Sequence, residues 1–448
     1  MTAALRIRAA TPATATLAVE RLGEREVVLA TLEDGPRRGA MTSADGAVLV
    51  AAAQEAVDAR LPLVLFLASS GADAAEGISS LAAWGQVARA LSQCSGVVPV
   101  LAAVTGPAIS GSALLVGLAD HVVMTRDAYA FISGPVPVRV MTGVHVGVNE
   151  LGGPAVHDRA TGTASVVVDD RDAAVDALTE LVSYLPGHAD AAPALLPTSD
   201  PPDRSTPEAS ACIPEHSTGS YDVRDVMTAV SDDGHMMELR GGWAPNMVTA
   251  LATIGGRPVG YVANQPLAIA GTLDIAASQK AARFVSFCDA FNLPIVTLVD
   301  TPGFYPGKDL EWRGMIRHGA QMAFAYARAT VPRVAVVLRK SYGGAYIVMD
   351  SKSIGNDVYL AWPTAELAVM GASQAAEILH RRATPEERAE RVVEYEERHL
   401  NPYEAADRGY VDAVIDPADT RRALADSLEV LATKRERLIA RRHDNTPL

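Results

Sequence analysis

Two short stretches carry residues whose type and spacing suit chemistry. Ser110-Gly111 closes an apolar run in the first half of the chain, and Gly343-Gly344-Ala345 closes a similar run in the second. Small residues at the end of a strand leave backbone N–H groups accessible, and the start of a following helix adds partial positive charge. Such a turn holds a developing oxyanion, and one well-aimed donor of this kind is worth about 3–4 kcal/mol in a rate. Two of them suit a reaction with two carbonyl-derived anions. The same glycines also let a helix pack closely on a strand, and spacing alone does not choose between the readings.

Other candidates fall to simple tests. The stretch from Gly303 to Asp309 resembles a phosphate loop only faintly: it lacks four residues between its glycines and ends in Asp rather than Ser or Thr. The ten histidines form no H-x-H or H-E-x-x-H pattern, so no metal centre is expected. Ser110 and Ser112 do not stand in G-x-S-x-G, which argues against a nucleophile elbow. Asp300, at a strand end before Thr-Pro-Gly, is expected to order the turn by accepting backbone N–H groups rather than to act as an acid or base.

The elements that position these turns repeat. Leu61-Pro62-Leu63-Val64 and Leu293-Pro294-Ile295-Val296 each open an apolar strand (294 − 62 = 232). Val98-Pro99-Val100 and Val331-Pro332-Arg333 precede a second pair of apolar runs (332 − 99 = 233), which end at the two turns (344 − 111 = 233). A near-constant offset marks an internal duplication, and strands alternating with helices imply α/β layers. Residues 97–119 carry no charge and are long enough to span a bilayer, but Pro99, Gly106, Pro107, Gly111 and Gly117 would interrupt a helix repeatedly. They read as a buried strand, a glycine loop and a buried helix. Residues 184–220, rich in Pro, Ser, Ala and Asp, read as a linker between an N-terminal domain (1–183) and a C-terminal domain (221–448). PEERAERVVEYEERH reads as a helix, and a charged terminal helix is expected from Thr420 to about Arg442.

Composition narrows the class. The chain has 448 residues, 49% hydrophobic and 21% charged, which suits an ordinary globular protein of two domains. A net charge of −14 argues against non-specific binding to nucleic acid or an anionic membrane. Cys94, Cys212 and Cys288 lie far apart and fit a reducing cytoplasm, and the first residues show no apolar signal-peptide core.

Longer motifs then carry a resemblance. Asn264-Gln265-Pro266 with Gly271-Thr272-Leu273-Asp274, KAARFVSFCDAFNLPIVTLVDTPGFYPGKDLEWRGMIRHGAQMAFAYA, RKSYGGAYIVMDSKSIGNDVYLAWPTAELAVMGA and Asn401-Pro402-Tyr403 with ADRGYVDAVIDP closely resemble the carboxyltransferase (β) subunit of biotin-dependent acyl-CoA carboxylases, of the propionyl-CoA and acetyl-CoA carboxylase type. The resemblance continues more loosely from about Leu61 to the linker, through ELGGPAVHDRATG and SYLP. It implies two tandem crotonase-like ββα superhelical domains in the α/β class. It also implies that carboxybiotin, carried on a separate subunit, yields its carboxylate to the α-carbon of an acyl-CoA through a thioester enolate. By position, the Ser110 and Gly111 amides would serve the enolate, and those of Gly344 and Ala345 the biotin. Gly71, Asp73, Ser112 and Ile347 would border the acyl substrate, with Ile347 supplying an apolar wall. Gly343, Tyr346, Asn264 and Gly271 would border biotin. The partners implied are a biotin carboxylase and biotin carrier subunit, acyl-CoA, and further copies of the chain in a hexamer built as a trimer of dimers. In that assembly each site lies between the N-domain of one subunit and the C-domain of another.

The sequence also departs from the family. The family's first turn usually reads D-S-G-G-A-R-I-Q-E-G, where this chain has Ala68-Ser69-Ser70-Gly71-Ala72-Asp73-Ala74-Ala75-Glu76-Gly77. Asp73 replaces an Arg where anionic CoA would approach, and a unit-charge pair at 4 Å near a surface is worth about 4 kcal/mol before screening. The usual Gly-Gly of the first oxyanion turn is Ser110-Gly111. The part before the first strand is shortened or rewritten. These changes motivate two alternatives: a decarboxylase, transcarboxylase or carboxylase using a specialised or carrier-bound acyl thioester, and a non-catalytic scaffold subunit of a biotin carboxylase complex.

Overall fold

The computed structural model describes residues 13–33, 36–214, 216, 219–434 and 436–447. The chain forms two compact units, Met1–Ala191 and Ala192–Leu448. In the first, β1 (Thr16–Leu22) and β2 (Arg25–Leu32) form an antiparallel hairpin. From β2 the sheet runs parallel through β3 (Leu63–Ser69), β4 (Val100–Ile109), β5 (His121–Thr125) and β7 (Val166–Val168). The short β6 (Tyr129–Phe131) pairs with the C-terminal part of β4. All seven residues of β3 are buried, as expected of a parallel strand covered on both faces. The helix Ser43–Ala59 opens with a capping box between Thr42 and Asp45. With the helix Ile78–Cys94 it buries Leu49, Ala53, Trp84, Val87 and Leu91 in the same core as β3 and β4.

The second unit repeats the plan. β9 (Met247–Ile254) and β10 (Arg257–Asn264) form the hairpin, flanked by β8 (Met236–Leu239). The parallel run is β10, β11 (Ile295–Thr301), β12 (Arg333–Tyr342), β13 (Val358–Ala361) and β15 (Ala413–Val414), and β14 (Glu366–Ala368) pairs with the end of β12. Even the irregularity recurs. The register between β3 and β4 shifts between Leu67 and Ser69, and that between β11 and β12 shifts between Val299 and Thr301. Beyond each shift the long strand runs on and turns directly into a six-residue helix, Gly111–Val116 or Gly343–Val348. The strand and helix expected in residues 97–119 are β4 and the first of these helices, but no glycine loop separates them: Gly106 and Pro107 lie within β4, and the chain turns at Ser110 alone. Among the described residues no helix is long and apolar enough to cross a membrane.

Two expectations differ from what is observed. Much of the stretch read as a linker is held on the second unit: the Leu196 amide donates to the Gly256 carbonyl at 2.7 Å, and the Thr206 amide to the Ala418 carbonyl at 2.8 Å. Arg421, fully buried, donates to the carbonyls of Pro201 (3.0 Å), Asp200 (3.1 Å) and Val230 (2.8 Å) and to Asp232 Oδ1 (2.6 Å). A segment without sequence periodicity is thus ordered by a charge that lies elsewhere in the chain. The terminal helix also stops early, at Val430. A short 3₁₀ turn follows, and Lys434 Nζ then ties the chain to Asp357 (2.8 Å) and to the Val331 carbonyl (3.2 Å).

Removing one partner of a buried ion pair leaves the other uncompensated, at a cost of about 3–5 kcal/mol. Arg421→Met is therefore expected to lower the stability of the second unit by that amount, read as a lower urea midpoint, while Arg422→Met at an exposed neighbouring ion pair leaves the midpoint nearly unchanged.

Candidate active site

In the second unit the turn from β12 is made by Gly343, whose φ of +58° follows Tyr342 in extended conformation. A side chain there would be strained, and its Cβ would also lie 3.2 Å from the Val369 carbonyl. The chain thus passes from strand to helix within one residue, and the amides of Gly344 and Ala345 fall in the first turn, where no intrahelical acceptor exists. Among the described residues none accepts from them.

Beside this turn lies a cavity of about 750 Å³. Gly343, Gly344, Tyr346 and Ile347 form one side, and β14 lends Leu367 and Ala368, with Val369 following. Tyr395, His399, Glu404 and Arg408 come from the C-terminal helices. Tyr346 stands edge-on to Tyr359, and burial raises its hydroxyl pKa against a hydrogen bond to Ser353. Ile347 is half exposed on this wall. Tyr342, whose hydroxyl donates a short bond to the Glu366 carboxylate, fixes β14 against β12 on the other side of the turn.

Asn264 and Gly271 sit behind the turn. Asn264 is fully buried; its Nδ2 donates to the Gly271 carbonyl (3.3 Å) and its Oδ1 accepts from the Asp300 amide (3.2 Å). These groups are therefore occupied in joining the ends of β10 and β11, which makes Asn264 and Gly271 supports of the loop rather than walls of the cavity. The turn is ordered by Thr301, whose Oγ1 accepts from the Gly303 amide (3.3 Å), whereas Asp300 accepts from the Lys340 amide of β12 (3.1 Å) and so joins two strands, which corrects its expected role. It also accepts from Arg339 Nε (2.8 Å) and the Tyr221 hydroxyl (2.9 Å), partners the sequence did not suggest.

The corresponding turn in the first unit is altered. Ser110 occupies the place of Gly343 with φ +60° and ψ −111°, a conformation that costs a non-glycine residue about 1–3 kcal/mol. Its amide is not available: it donates to the Phe131 carbonyl at 2.9 Å, extending the β4–β6 pairing by one residue. The expectation that the Ser110 N–H serves an oxyanion is thereby corrected. The Gly111 amide remains, with no acceptor among the described residues, and Gly71 lies against the Ile109 carbonyl beside it. Ser112 is fully buried and donates to the Ile109 carbonyl (3.0 Å), so it braces the turn instead of facing a substrate. Asp73 is 2% exposed, and its carboxylate accepts from the Ala75 amide at 2.9 Å. The sign reversal expected to confront CoA is turned inward.

With both turns described, comparison with known proteins becomes informative. The carboxyl transferase domain model matches residues 20–446. The chain belongs to the carboxyl transferase family. It is 45% identical over 393 residues to the methylmalonyl-CoA carboxyltransferase 12S subunit of Propionibacterium freudenreichii subsp. shermanii, covering 86% of this chain and 75% of that protein. It is 42% identical over 429 residues to the propionyl-CoA carboxylase beta chain of Saccharopolyspora erythraea, covering 92% and 79%. A crystal structure of transcarboxylase 12S, described as a hexamer with hydrolysed methylmalonyl-coenzyme A bound, superposes with a TM-score of 0.93 at 40% identity, covering 97% of this chain and 85% of that one. As a member of this family the chain is a biotin-dependent carboxyltransferase, and its two sheets are tandem crotonase-like domains.

The glycine that matters most in the first unit is Gly111. A Cβ there would lie 2.7 Å from the ring of the buried Trp84, so the backbone or the ring must shift to admit it. Gly111→Ala is expected to lose about 1–3 kcal/mol of stability and, by shifting the amide, to reduce kcat by at least about tenfold. Gly344→Ala meets Phe304 at the gentler 3.3 Å and leaves the melting temperature closer to that of the parent; thermal unfolding and steady-state kinetics on both variants separate the effects.

Proposed function

We propose that this chain is the carboxyltransferase subunit of a biotin-dependent acyl-CoA carboxylase, passing a carboxylate between biotin borne on a separate subunit and the α-carbon of a short-chain acyl-CoA such as propionyl-CoA or acetyl-CoA. The observation that carries this reading is the pair of strand-to-helix turns, the second presenting the amides of Gly344 and Ala345 and the first that of Gly111, with no acceptor among the described residues. The residues around the second turn fit biotin: the positive φ at Gly343 and the missing side chains at Gly343 and Gly344 leave a cradle beside the 750 Å³ cavity. When bound there, biotin supplies a carboxyl group on nitrogen that is readily given up.

The chain's own part is to place donors. Gly344 and Ala345 direct amide hydrogens toward the ureido oxygen. In the first unit the Gly111 amide donates to the thioester oxygen as negative charge gathers on it, an interaction stronger in the transition state than in the ground state. Tyr346 and Ile347 give the cavity an apolar wall. No side-chain acid or base is needed at the turns themselves, in keeping with the absence of a triad pattern in the sequence. We further infer a cytoplasmic enzyme that works with biotin carboxylase and biotin carrier subunits and assembles as a hexamer.

A transcarboxylase or decarboxylase role is the second reading. It is favoured by the identity to the methylmalonyl-CoA carboxyltransferase subunit above and by 38% identity to a Veillonella parvula methylmalonyl-CoA decarboxylase subunit alpha over 411 residues. The scaffold reading loses one of its grounds, because Asp73 is buried on its own turn.

Incubating the protein with labelled, carboxylated biotin carrier and a panel of short acyl-CoAs is expected to give acid-stable label in the acyl-CoA fraction; no label with any CoA ester would overturn the proposal. Transfer to a second acyl acceptor without ATP would favour the transcarboxylase role. Ile347→Asp is expected to lower kcat/KM for propionyl-CoA about fourfold more than for acetyl-CoA, the effect of one methylene's burial. A hexamer by light scattering is expected, and a monomer would contradict the assembly.

A further inference from the structure

Among the residues lining the large cavity, one arrangement has the form of an oriented base. His399 closes the helix Pro385–His399, and Glu404 lies on the next helix, Pro402–Asp407. His399 Nδ1 is 2.7 Å from Glu404 Oε2. The other oxygen, Glu404 Oε1, accepts from Arg408 Nη2 at 2.6 Å. The Tyr395 ring packs on the imidazole with centroids 4.8 Å apart. The hydrogen bond from His399, with Arg408 adding to it, holds the Glu404 carboxyl below the usual range for a glutamate.

This geometry decides the tautomer. An ionised carboxylate only accepts, so Nδ1 must carry the proton, and in the neutral ring Nε2 is then left as a lone-pair acceptor. No described residue bonds Nε2. His399 lines the same cavity as Gly343 and Gly344, so that cavity has an acceptor on its wall as well as the donors of the glycine turn. Biotin's ureido group has both kinds of partner, an oxygen that accepts and a ring N–H that donates.

We propose that His399, oriented by Glu404, accepts a hydrogen bond from the free ureido N–H of biotin while the turn amides donate to its oxygen. His399 is thus a biotin-positioning residue. The inference rests on the proposed function, since it takes biotin to enter this cavity. No proton is transferred in this step. Protonation of the ring converts Nε2 to a donor and removes the contact; the charged and titratable groups around the ring are Glu404, Arg408, Tyr395 and Tyr410 on the side of this cavity and His380, Arg391, Glu394 and Arg398 on the other.

The test measures binding of biocytin to the purified full-length protein by ligand-observed NMR. His399→Phe keeps the ring stacking and removes the acceptor; it is expected to weaken biocytin about tenfold, the scale of one hydrogen bond. His399→Gln, with a side-chain carbonyl, is expected to recover part of that loss. Binding of a biocytin methylated on the free ureido nitrogen is expected to be equally weak in the parent and in His399→Phe. In steady state, His399→Phe is expected to raise KM for biotin as carboxyl acceptor while KM for the acyl-CoA stays the same. If the parent binds biocytin and His399→Phe binds it equally well, this inference is overturned and the proposed function stands. If the parent neither binds biocytin nor transfers a carboxyl group, both fall. Unfolding midpoints of the two variants, expected to match the parent, exclude a folding defect as the cause.

Discussion

The site depends on one backbone event, the reversal from strand to helix within a single residue at the end of β4 and of β12. A strand end uses its amides in the ladder, and a helix interior uses them four residues back. Only the first residues of a helix that begins without a loop keep N–H groups close to a rigid sheet and without an acceptor. One residue of positive φ makes that junction, Ser110 in one unit and Gly343 in the other. The register shifts at Leu67/Ser69 and Val299/Thr301 belong to the same device, because beyond them the long strand continues and takes β6 or β14 as a neighbour. Backbone donors held by two sheets need no reorganisation when charge develops, which is where such donors gain most of their effect.

The two copies of this device are not equal. Glycine meets the backbone requirement in the second unit at little steric cost. Serine meets it in the first at the expense of strain, and the Ser110 amide is bonded to the Phe131 carbonyl. The first turn thus presents fewer free donors, backed by a tight contact between Gly111 and Trp84. Strain that persists is over-determined by its surroundings. Here the buried Trp84 of the helix Ile78–Cys94 behind Gly111 and the β6 carbonyl ahead of Ser110 fix the residue from both sides.

Much of the fold was legible because its signals are local. Apolar runs opening with Leu-Pro or Val-Pro mark the buried central strands, and their repetition at a constant offset exposes the duplicated plan before any coordinates. What was not legible depends on groups brought together from distant positions. Whether the Ser110 amide is free is decided by Phe131, twenty-one residues on (131 − 110 = 21). The charge of Asp73 counts for little at the surface because the turn folds it inward onto Ala75. Asn264 reads as a ligand contact in a motif and proves to be a clamp between strand ends. The stretch after residue 191 lacks periodicity, and its order comes from Arg421, which no local pattern connects to it.

His399 and Glu404 illustrate the same limit at the site itself. Five residues apart, they lie on no common helical face, and Asn401-Pro402 breaks the chain between them. The break brings them together: Asn401 caps the second helix by accepting from the Tyr403 and Glu404 amides, and this sets Glu404 in its first turn, within reach of the imidazole that ends the first. A search for fixed-spacing pairs passes over such an arrangement, because its geometry is set by a helix cap. An oriented hydrogen-bond acceptor is thus added to the cavity that the glycine turn borders, built by a segment that the sequence marks only as helical.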